Sequence, residues 1–397
     1  MTSKYENRFL NFHILTSYSP SCLNRDDMNM QKSALFGGVR RVRVSSQCLK
    51  RSIRQSELYR KFFGKPSLRT ASPQMLLEHL QTDENFSSIP SEILECVIEV
   101  GMKEKTITPW ISDEISELAK IVDILLKNHG KTYVDLPSLI KSESKNDEEG
   151  TGKSKKKGSG DSKFMKELRD KYSECEKEFA KAGISCVDIA LSGRMCASGE
   201  LSNVEAALSV AHAISTHAMD AEIDWFTAMD DLKTLSEETG AGYLNTQEFS
   251  SAVFYLYSSI DIELLAKNIG GDEKDALSVA SKYLELMATV SPTAKQTSFA
   301  SYTPAHCILT LRSPLPISLA NAFEKPVKLG GKGIGFITPS MEAMKDYWVK
   351  VHSRYEIPET GAFFCIDDFN LDNTNLTLCS KLSDMKKWIE EGSENNA

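Results

Sequence analysis

The sequence predicts an α+β fold, and three observations carry that expectation. Runs of alternating or continuous apolar residues at 8–18, 39–44, 186–195, 247–260 and 306–312 read as strands. Segments with apolar residues at helical spacing are interleaved with them. One helical block, residues 70–140, stands between the first and second strand–helix units and looks like an insertion. No internal repeat is evident, and the order of elements best matches a split βαβ sheet of the ferredoxin or RRM kind. The open face of such a sheet commonly carries single-stranded RNA.

Residues 8–18, RFLNFHILTSY, put Leu10, Phe12 and Ile14 on one side and Asn11 and His13 on the other, the pattern of a central first strand. Pro20–Gly38 reads as a polar loop ending in Gly37-Gly38, and a loop of that length inside a compact domain usually has a task. Val39–Val44 alternates again, with Val42 and Val44 on one face and Arg41 and Arg43 on the other. Ser45 and Ser46 then offer an N-cap to a helix beginning near Gln47. In that helix Leu49, Ile53, Ser56 and Phe63 share a side, and Lys50, Arg54 and Lys61 line its flank.

The block 70–140 spaces its apolar residues helically in MLLEHL, SEILECVIEV and ISELAKIVDILL, with Pro109 before Trp110 marking a helix start. Lys141–Lys163 holds no aromatic or large aliphatic residue and reads as a mobile loop or linker. Residues 164–182 return to helix. CVDIALSGRM (186–195) reads as a buried strand ending at Gly193 and Arg194, and an Ala-rich helix is expected over 202–217. The acidic segment DAEIDWFTAMDDL carries an exposed-looking pair, Trp225 and Phe226. A strand over 247–260, a helix over 272–289, a strand near 306–312 and helices around 339–352 and 383–391 complete the chain.

Charge is distributed unevenly. Between Met28 and Leu77 stand 11 Lys and Arg and one acid, Glu57, a net +10 within a chain of net −8, which leaves −18 elsewhere. A basic run is ordinarily a solvated face. Here the near absence of acids removes the usual salt-bridge explanation, and the run reads as a track for a polyanion. A second cluster, Lys153, Lys155, Lys156 and Lys157, lies in the polar linker and reads either as a solvated tether or as a flexible phosphate contact.

Composition excludes other classes. A chain of 397 residues suggests two or three domains, and 41% hydrophobic with 26% charged is ordinary for a soluble globular protein. The start, MTSKYENRF, lacks an apolar core of a signal peptide and no apolar run reaches the length of a membrane span, so a cytoplasmic protein is expected. Nine cysteines without a CxxC pair fit free thiols, and neither a structural metal nor a cofactor is expected. His212, His217, Asp220 and Asp224 are metal-ligand types, but histidines five apart on a helix would point about 140° apart. Asp26 and Asp27 lie in the loop beside the basic track, where an acid could help cleave a phosphodiester; the alternative is that they position Arg25 or cap the loop. GGKGIG (330–335) lacks the spacing of a phosphate loop.

The strings SCLNRDDMNMQK, FGGVRRVRVSSQCLKR, VDIALSGRM, AHAISTH, EIDWFTAMDDL, TQEFSS and ANAFEKPVK resemble the CasC family, the backbone subunits of the type I-E CRISPR Cascade complex. The resemblance runs through most of the chain and weakens across the helical insertion. It implies a non-catalytic subunit with an RRM-like palm (1–69, 183–216 and 247–397), helical fingers (70–182) and a thumb (217–246). Copies would line up head to tail along one CRISPR RNA and hold it for pairing with target DNA, the guide and not the protein reading sequence. The partners implied are CRISPR RNA, target DNA, further copies of the chain, other Cascade subunits and the helicase-nuclease recruited to Cascade, with no membrane. By the same resemblance Arg25, Lys32, Ser45, Gln47, Lys50 and Arg54 contact the guide, joined from the charge pattern by Arg41 and Arg43. Met195, Trp225, Phe226 and Thr227 match positions that wedge against displaced bases. The linker lysines would reach target DNA. The alternative is a metal-dependent endoribonuclease using Asp26 and Asp27.

Overall fold

The computed structural model describes residues 8–101, 107–141, 163–181, 186–195, 203–228, 243–330, 335–372 and 374–391. The fold is mixed α+β, with a central sheet and helical insertions. Its elements in chain order are β1 (Phe9–Ser21), β2 (Ser33–Phe36), β3 (Val39–Val44), α1 (Ser46–Gln55), α2 (Glu57–Phe63), β4 (Leu68–Thr70), α3 (Pro73–Thr82), α4 (Ser91–Gly101), β5 (Thr108–Trp110), α5 (Ser112–Asn128), α6 (Leu136–Lys141), α7 (Lys163–Lys181) and α8 (Val187–Ser192). There follow β6 (Leu208–Val210), β7 (Ala213–Ser215), β8 (Glu222–Ala228), β9 (Tyr243–Asp261), α9 (Ile262–Ile269), α10 (Glu273–Thr289), α11 (Gln296–Phe299), β10 (Cys307–Ser313), α12 (Ile337–Tyr355), β11 (Thr360–Cys365), β12 (Leu376–Cys379) and α13 (Leu382–Glu391). Two compact units result: Met1–Gly64 with Leu208–Glu263 and Glu273–Ala397, and Lys65–Ala207 with Leu264–Asp272. No described helix is long and apolar enough to cross a membrane.

The first unit is built on a sheet of order β12-β11-β10-β1-β9-β7-β3-β2, with β6 and β8 also paired to the long β9. As its alternation predicts, β1 is central, antiparallel to β9 on one side and β10 on the other. Both of its faces are covered. Leu10, Phe12 and Ile14 are buried on one, and Asn11 and His13 are buried on the other. The polar pair is tolerated because each finds a partner: Tyr257 donates to Asn11 Oδ1 at 3.0 Å, and His13 Nδ1 lies 2.9 Å from the Tyr255 hydroxyl. That hydroxyl also accepts the Leu319 amide at 2.9 Å, and burial keeps the imidazole neutral. A core of Leu15, Val253, Tyr255, Leu309 and Leu311 packs against Met341, Met344 and Trp348 of α12.

Burial lowers the His13 pKa from 6.5 to about 3, and burial also lowers that of His217. A group whose folded-state pKa is depressed contributes stability above its unfolded pKa and loses it as pH falls towards the folded value. The first unit should therefore weaken below pH 6.5 by at most about 1.4 kcal/mol per pH unit for His13 alone, roughly 2 kcal/mol by pH 5. Urea midpoints at pH 7 and pH 5 measure this, and His13→Gln should flatten the dependence. An equally steep loss in the variant would clear His13 of the effect.

The second unit gathers α3 to α7 around Leu80, Phe86, Leu94, Val97, Trp110, Leu118, Val122 and Leu168, with β4 and β5 as a small antiparallel pair. Helical periodicity in residues 70–140 predicts most of it. Trp110, however, belongs to β5, and the following helix starts at Ser112, not at Pro109.

Several sequence expectations are corrected. Residues 187–192 form the one-and-a-half-turn helix α8, not a strand, because a short continuous apolar run serves either state equally well. Gly193 closes it at φ +74°, where an added Cβ would meet Val204 O at 2.9 Å and Ala206 N at 3.0 Å. The Ala-rich stretch 202–217 is no helix: among its described residues it supplies β6 and β7, which pair with β9 through Leu208↔Ile260 and Ile214↔Tyr255. Sheet pairing overrides the helical propensity of alanine here. The expected loop Pro20–Gly38 is shorter, since β1 runs to Ser21 and β2 occupies 33–36. Gly37 and Gly38, at φ +60° and +79°, form the two-residue turn of the β2–β3 hairpin. The basic helix breaks at Ser56, whose hydroxyl caps α2 through Tyr59 N at 3.1 Å. Of the Lys141–Lys163 linker, residues 142–162, including Lys153, Lys155, Lys156 and Lys157, lie outside the described residues.

Candidate nucleic-acid interface

The candidate interface starts from a tightly built loop. After β1 the chain turns back on itself: Arg25 bridges Gln31, Asp26 N donates to Met30 O at 2.9 Å, and Asn29 takes a positive φ of 65°. Asp26 Oδ1 accepts the amides of Met28 and Met30, both at 2.9 Å, and Arg25 donates to Asn29 Oδ1. Asp26 is thus engaged in shaping the loop on which Arg25 is exposed. The loop is fixed to its surroundings at three points. Gln31 N donates to Glu248 Oε2 at 3.0 Å, Lys32 N donates to Asn24 O at 2.9 Å, and Ser45 N donates to Asn24 Oδ1 at 3.0 Å.

Ser45 is the N-cap of α1, its hydroxyl accepting Cys48 N at 3.3 Å, as the sequence predicts. The helix buries Leu49, Ser52 and Ile53, which leaves Gln47 exposed and Lys50 and Arg54 half-buried on its other flanks. Lys50 Nζ reaches Leu208 O at 3.5 Å. Arg43 on β3 is half-buried and donates to His212 Nδ1 at 2.7 Å. Burial, then the Arg43 guanidinium, then the Lys32 ammonium hold the His212 pKa below its ordinary value. Lys32 also acts on Cys48 in the first turn of α1. Lys32 therefore links the helix N-terminus to the Arg43–His212 pair, and the positive helix end adds to the same field.

Arg41 departs from the sequence reading. Alternation puts it on the face opposite Val42, but that face is covered as well, and Arg41 is 0% exposed. Its guanidinium donates to Ser215 O at 3.0 Å, Phe323 O at 2.7 Å, Phe36 O at 3.3 Å and Glu324 O at 3.4 Å. It ties the hairpin to its neighbours and has no surface to offer a ligand.

The wedge candidates are displayed, each in its own unit. Met195 is 84% exposed on backbone that is firmly held: Arg194 bridges Val204, and its buried guanidinium meets Glu114 at 2.8 and 3.0 Å. Trp225 is 67% exposed on β8, two residues from the exposed Ile223 on the same strand face. Phe226 and Thr227 follow on β8, paired with Asn245 and Leu244 of β9, and their side chains lie outside the described residues.

His212 and His217 flank the strand β7 and do not stand on a helix. His217 is buried, stacked on Phe336 at 3.8 Å, with Nδ1 donating to Ala218 O at 2.9 Å and Nε2 accepting Val253 N at 3.3 Å. Among the described residues no three His, Cys, Asp or Glu side chains are grouped to hold a metal. Residues 331–334 of GGKGIG lie outside the described residues. Besides Arg41, sequence reasoning misplaces His212, which it weighs only as a metal ligand; the register of β7 beside β3 is what brings it to Arg43.

No curated protein matches the chain. Solved chains do, among them two that are covered over nearly their whole length. A chain of a "CRISPR RNA-guided surveillance complex, pre-nicking" is 21% identical, with 96% of this chain and 99% of that chain covered and a TM-score of 0.74. A chain of a "CRISPR RNA-guided surveillance complex" is 18% identical with the same coverage and a TM-score of 0.57. At such identities the likeness speaks for a shared fold. A family model described as CT1975-like protein matches residues 10–390, and the chain belongs to that family.

Proposed function

We propose that the chain is an RNA-binding, non-catalytic subunit of a CRISPR RNA-guided surveillance complex of the Cascade kind. The observation that carries this reading is the cluster made by the N-terminus of α1, Lys32 and Arg43, where Arg43 spends its guanidinium on a neutral histidine and not on an acid. Among the described residues neither Lys32 nor Arg43 pairs with a carboxylate, and such cations in an otherwise acidic chain suit a phosphate backbone. The full-length likeness to surveillance-complex chains supports the same reading.

The finer assignment follows the type I-E backbone subunits. An RRM-like palm is supported by β1 lying between β9 and β10, antiparallel to both, with α9, α10 and α11 between those two strands in the chain. Residues 70–182 are the fingers and 217–246 the thumb, its β8–β9 hairpin presenting Trp225. Arg25, Lys32, Arg43, Ser45, Gln47, Lys50 and Arg54 contact the CRISPR RNA, and Met195, Trp225, Phe226 and Thr227 turn its bases at intervals. Copies of the chain polymerise along the guide in the cytoplasm, beside other Cascade subunits, and present it to target DNA and the recruited helicase-nuclease. Contact of Lys153, Lys155, Lys156 and Lys157 with that DNA rests on sequence alone.

The test is native mass measurement before and after nuclease treatment. The untreated protein should carry RNA of mixed base composition in a multimer that shortens or falls apart when the RNA is digested. A monomer free of RNA in both preparations would end the reading. The runner-up, cleavage by Asp26 or Asp27, predicts magnesium-dependent cutting of labelled RNA that disappears in Asp26→Asn or Asp27→Asn. No cutting is expected, since Asp26 is engaged with the Met28 and Met30 amides.

A further inference from the structure

We infer that His212 is itself an RNA-contacting residue, which with Arg43 and Lys32 seats one phosphodiester and takes up a proton as it does so. The inference rests on the RNA-binding reading above and adds to it a residue and a proton linkage.

The geometry is specific. β3 and β7 pair through Arg43↔Ile214 and Val44↔Ala213, so His212, one step beyond Ala213, stands across from Ser45, the N-cap of α1. Its ring is exposed, and Arg43 donates to Nδ1 at 2.7 Å. A ring nitrogen that accepts a guanidinium N–H holds a lone pair and no proton, so this imidazole is neutral and carries its hydrogen on Nε2. Among the described residues the charged groups that act on the ring are Arg43 of β3 and Lys32 at the lead into β2, both cations. On β9, Tyr255 pairs with Ile214 and Tyr257 O accepts the Ala211 amide; both phenols are buried, raised in pKa and uncharged in the physiological range. From α1, Lys50 reaches Leu208 O in the strand before β7.

A guanidinium bonded to a neutral base is a weaker pairing than the charge-assisted one that it makes with a phosphate oxygen. A phosphodiester entering between Arg43 and His212 takes over the Arg43 donor and frees Nδ1. The anion then favours the imidazolium, so Nδ1 takes a proton from solvent, keeps it, and its N–H hydrogen-bonds the second phosphate oxygen. Lys32 completes the neutralisation from the side of the helix N-terminus. The bound state thus holds one more proton per site than the free state, so RNA affinity rises as pH falls through the histidine range.

The experiment measures affinity for a fluorescent oligouridylate, using protein stripped of RNA by nuclease and salt, at pH 6.0 and 8.0 and one ionic strength. The wild type should bind about three- to tenfold more tightly at pH 6.0, bounded by tenfold per pH unit for one proton. His212→Gln, which cannot be protonated, should bind with the weaker affinity at both pH values. His212→Lys, permanently charged, should bind with the tighter affinity at both. In the wild type the ring-proton NMR titration of His212 should move to higher pH when the oligonucleotide is added. A pH dependence that survives unchanged in His212→Gln, or a titration that ignores RNA, overturns the inference while leaving the track standing. Failure of the wild type to bind at either pH removes the RNA-binding reading and this inference with it.

Discussion

Replacing Lys50 and Arg54 together by Glu should strip the RNA from the purified protein and leave the fold intact. Both residues stand on α1, one turn apart, and the helix is anchored by a different side, Leu49, Ser52 and Ile53. Glutamate is as good a helix former as lysine. Its charge near the end of α1 costs only about 0.3–1 kcal/mol against the helix dipole, too little to melt a packed helix. The consequence for a polyanion is much larger. If each subunit neutralises about four phosphates, the affinity should fall with a log–log salt slope near −2.8 per subunit. Removing two of four contacts halves that slope, and the two introduced carboxylates then repel the strand. The ratio of absorbance at nucleic-acid and protein wavelengths reads the first effect, and circular dichroism reads the fold. A ratio that stays at the wild-type value would take both residues out of the track.

Much of the architecture is legible in the sequence, and the failures share a cause. β1, β3, α1, β9, α10, β10, α12 and α13 are written in periodicity and caps that act locally: the alternation around Phe12, the Ser45 cap, the amphipathic spacing of Leu49 and Ile53. α8, β6 and β7 are not. Their residues take the state that a distant strand or turn imposes: Ala213 and Ile214 extend because β3 and β9 flank them, and Ile189 coils because Gly193 must close against Val204. The site divides in the same way. The positive field and the helix cap are visible from residue types and spacing alone. Which cation faces outward is not, because a strand buried on both faces carries no signature that separates Arg41 from Arg43. The partnership of Arg43 with His212 depends on a strand pairing between segments 169 residues apart and could not have been read from either.

That separation of Arg41 from its neighbours yields the other large expected effect. Arg41→Ala should destabilise the first unit by about 4 kcal/mol, without lowering RNA affinity per folded molecule. The guanidinium lies at the junction of the β2–β3 hairpin, β7 and the Phe323–Glu324 backbone, and donates to four carbonyl oxygens there. Its flat face also lies 5.6 Å from the Phe36 ring. Truncation leaves those carbonyls without their donor, the Ser215 and Phe323 oxygens in the buried interior, and opens a cavity beneath the hairpin. The turn has little room to collapse into it, since Gly37 already packs so closely on the Glu324 carbonyl that a Cβ there would overlap its oxygen. Arg41→Lys should recover less than half of the loss, because one ammonium on a flexible stem cannot meet acceptors arranged around a planar fork. Urea midpoints of the wild type and both variants measure the effect, and oligonucleotide affinity corrected for folded fraction measures its independence from binding. If Arg41→Ala instead kept its midpoint and lost RNA, the buried guanidinium would have to be a ligand after all, and the division between anchoring and contacting cations in this basic run would be wrong.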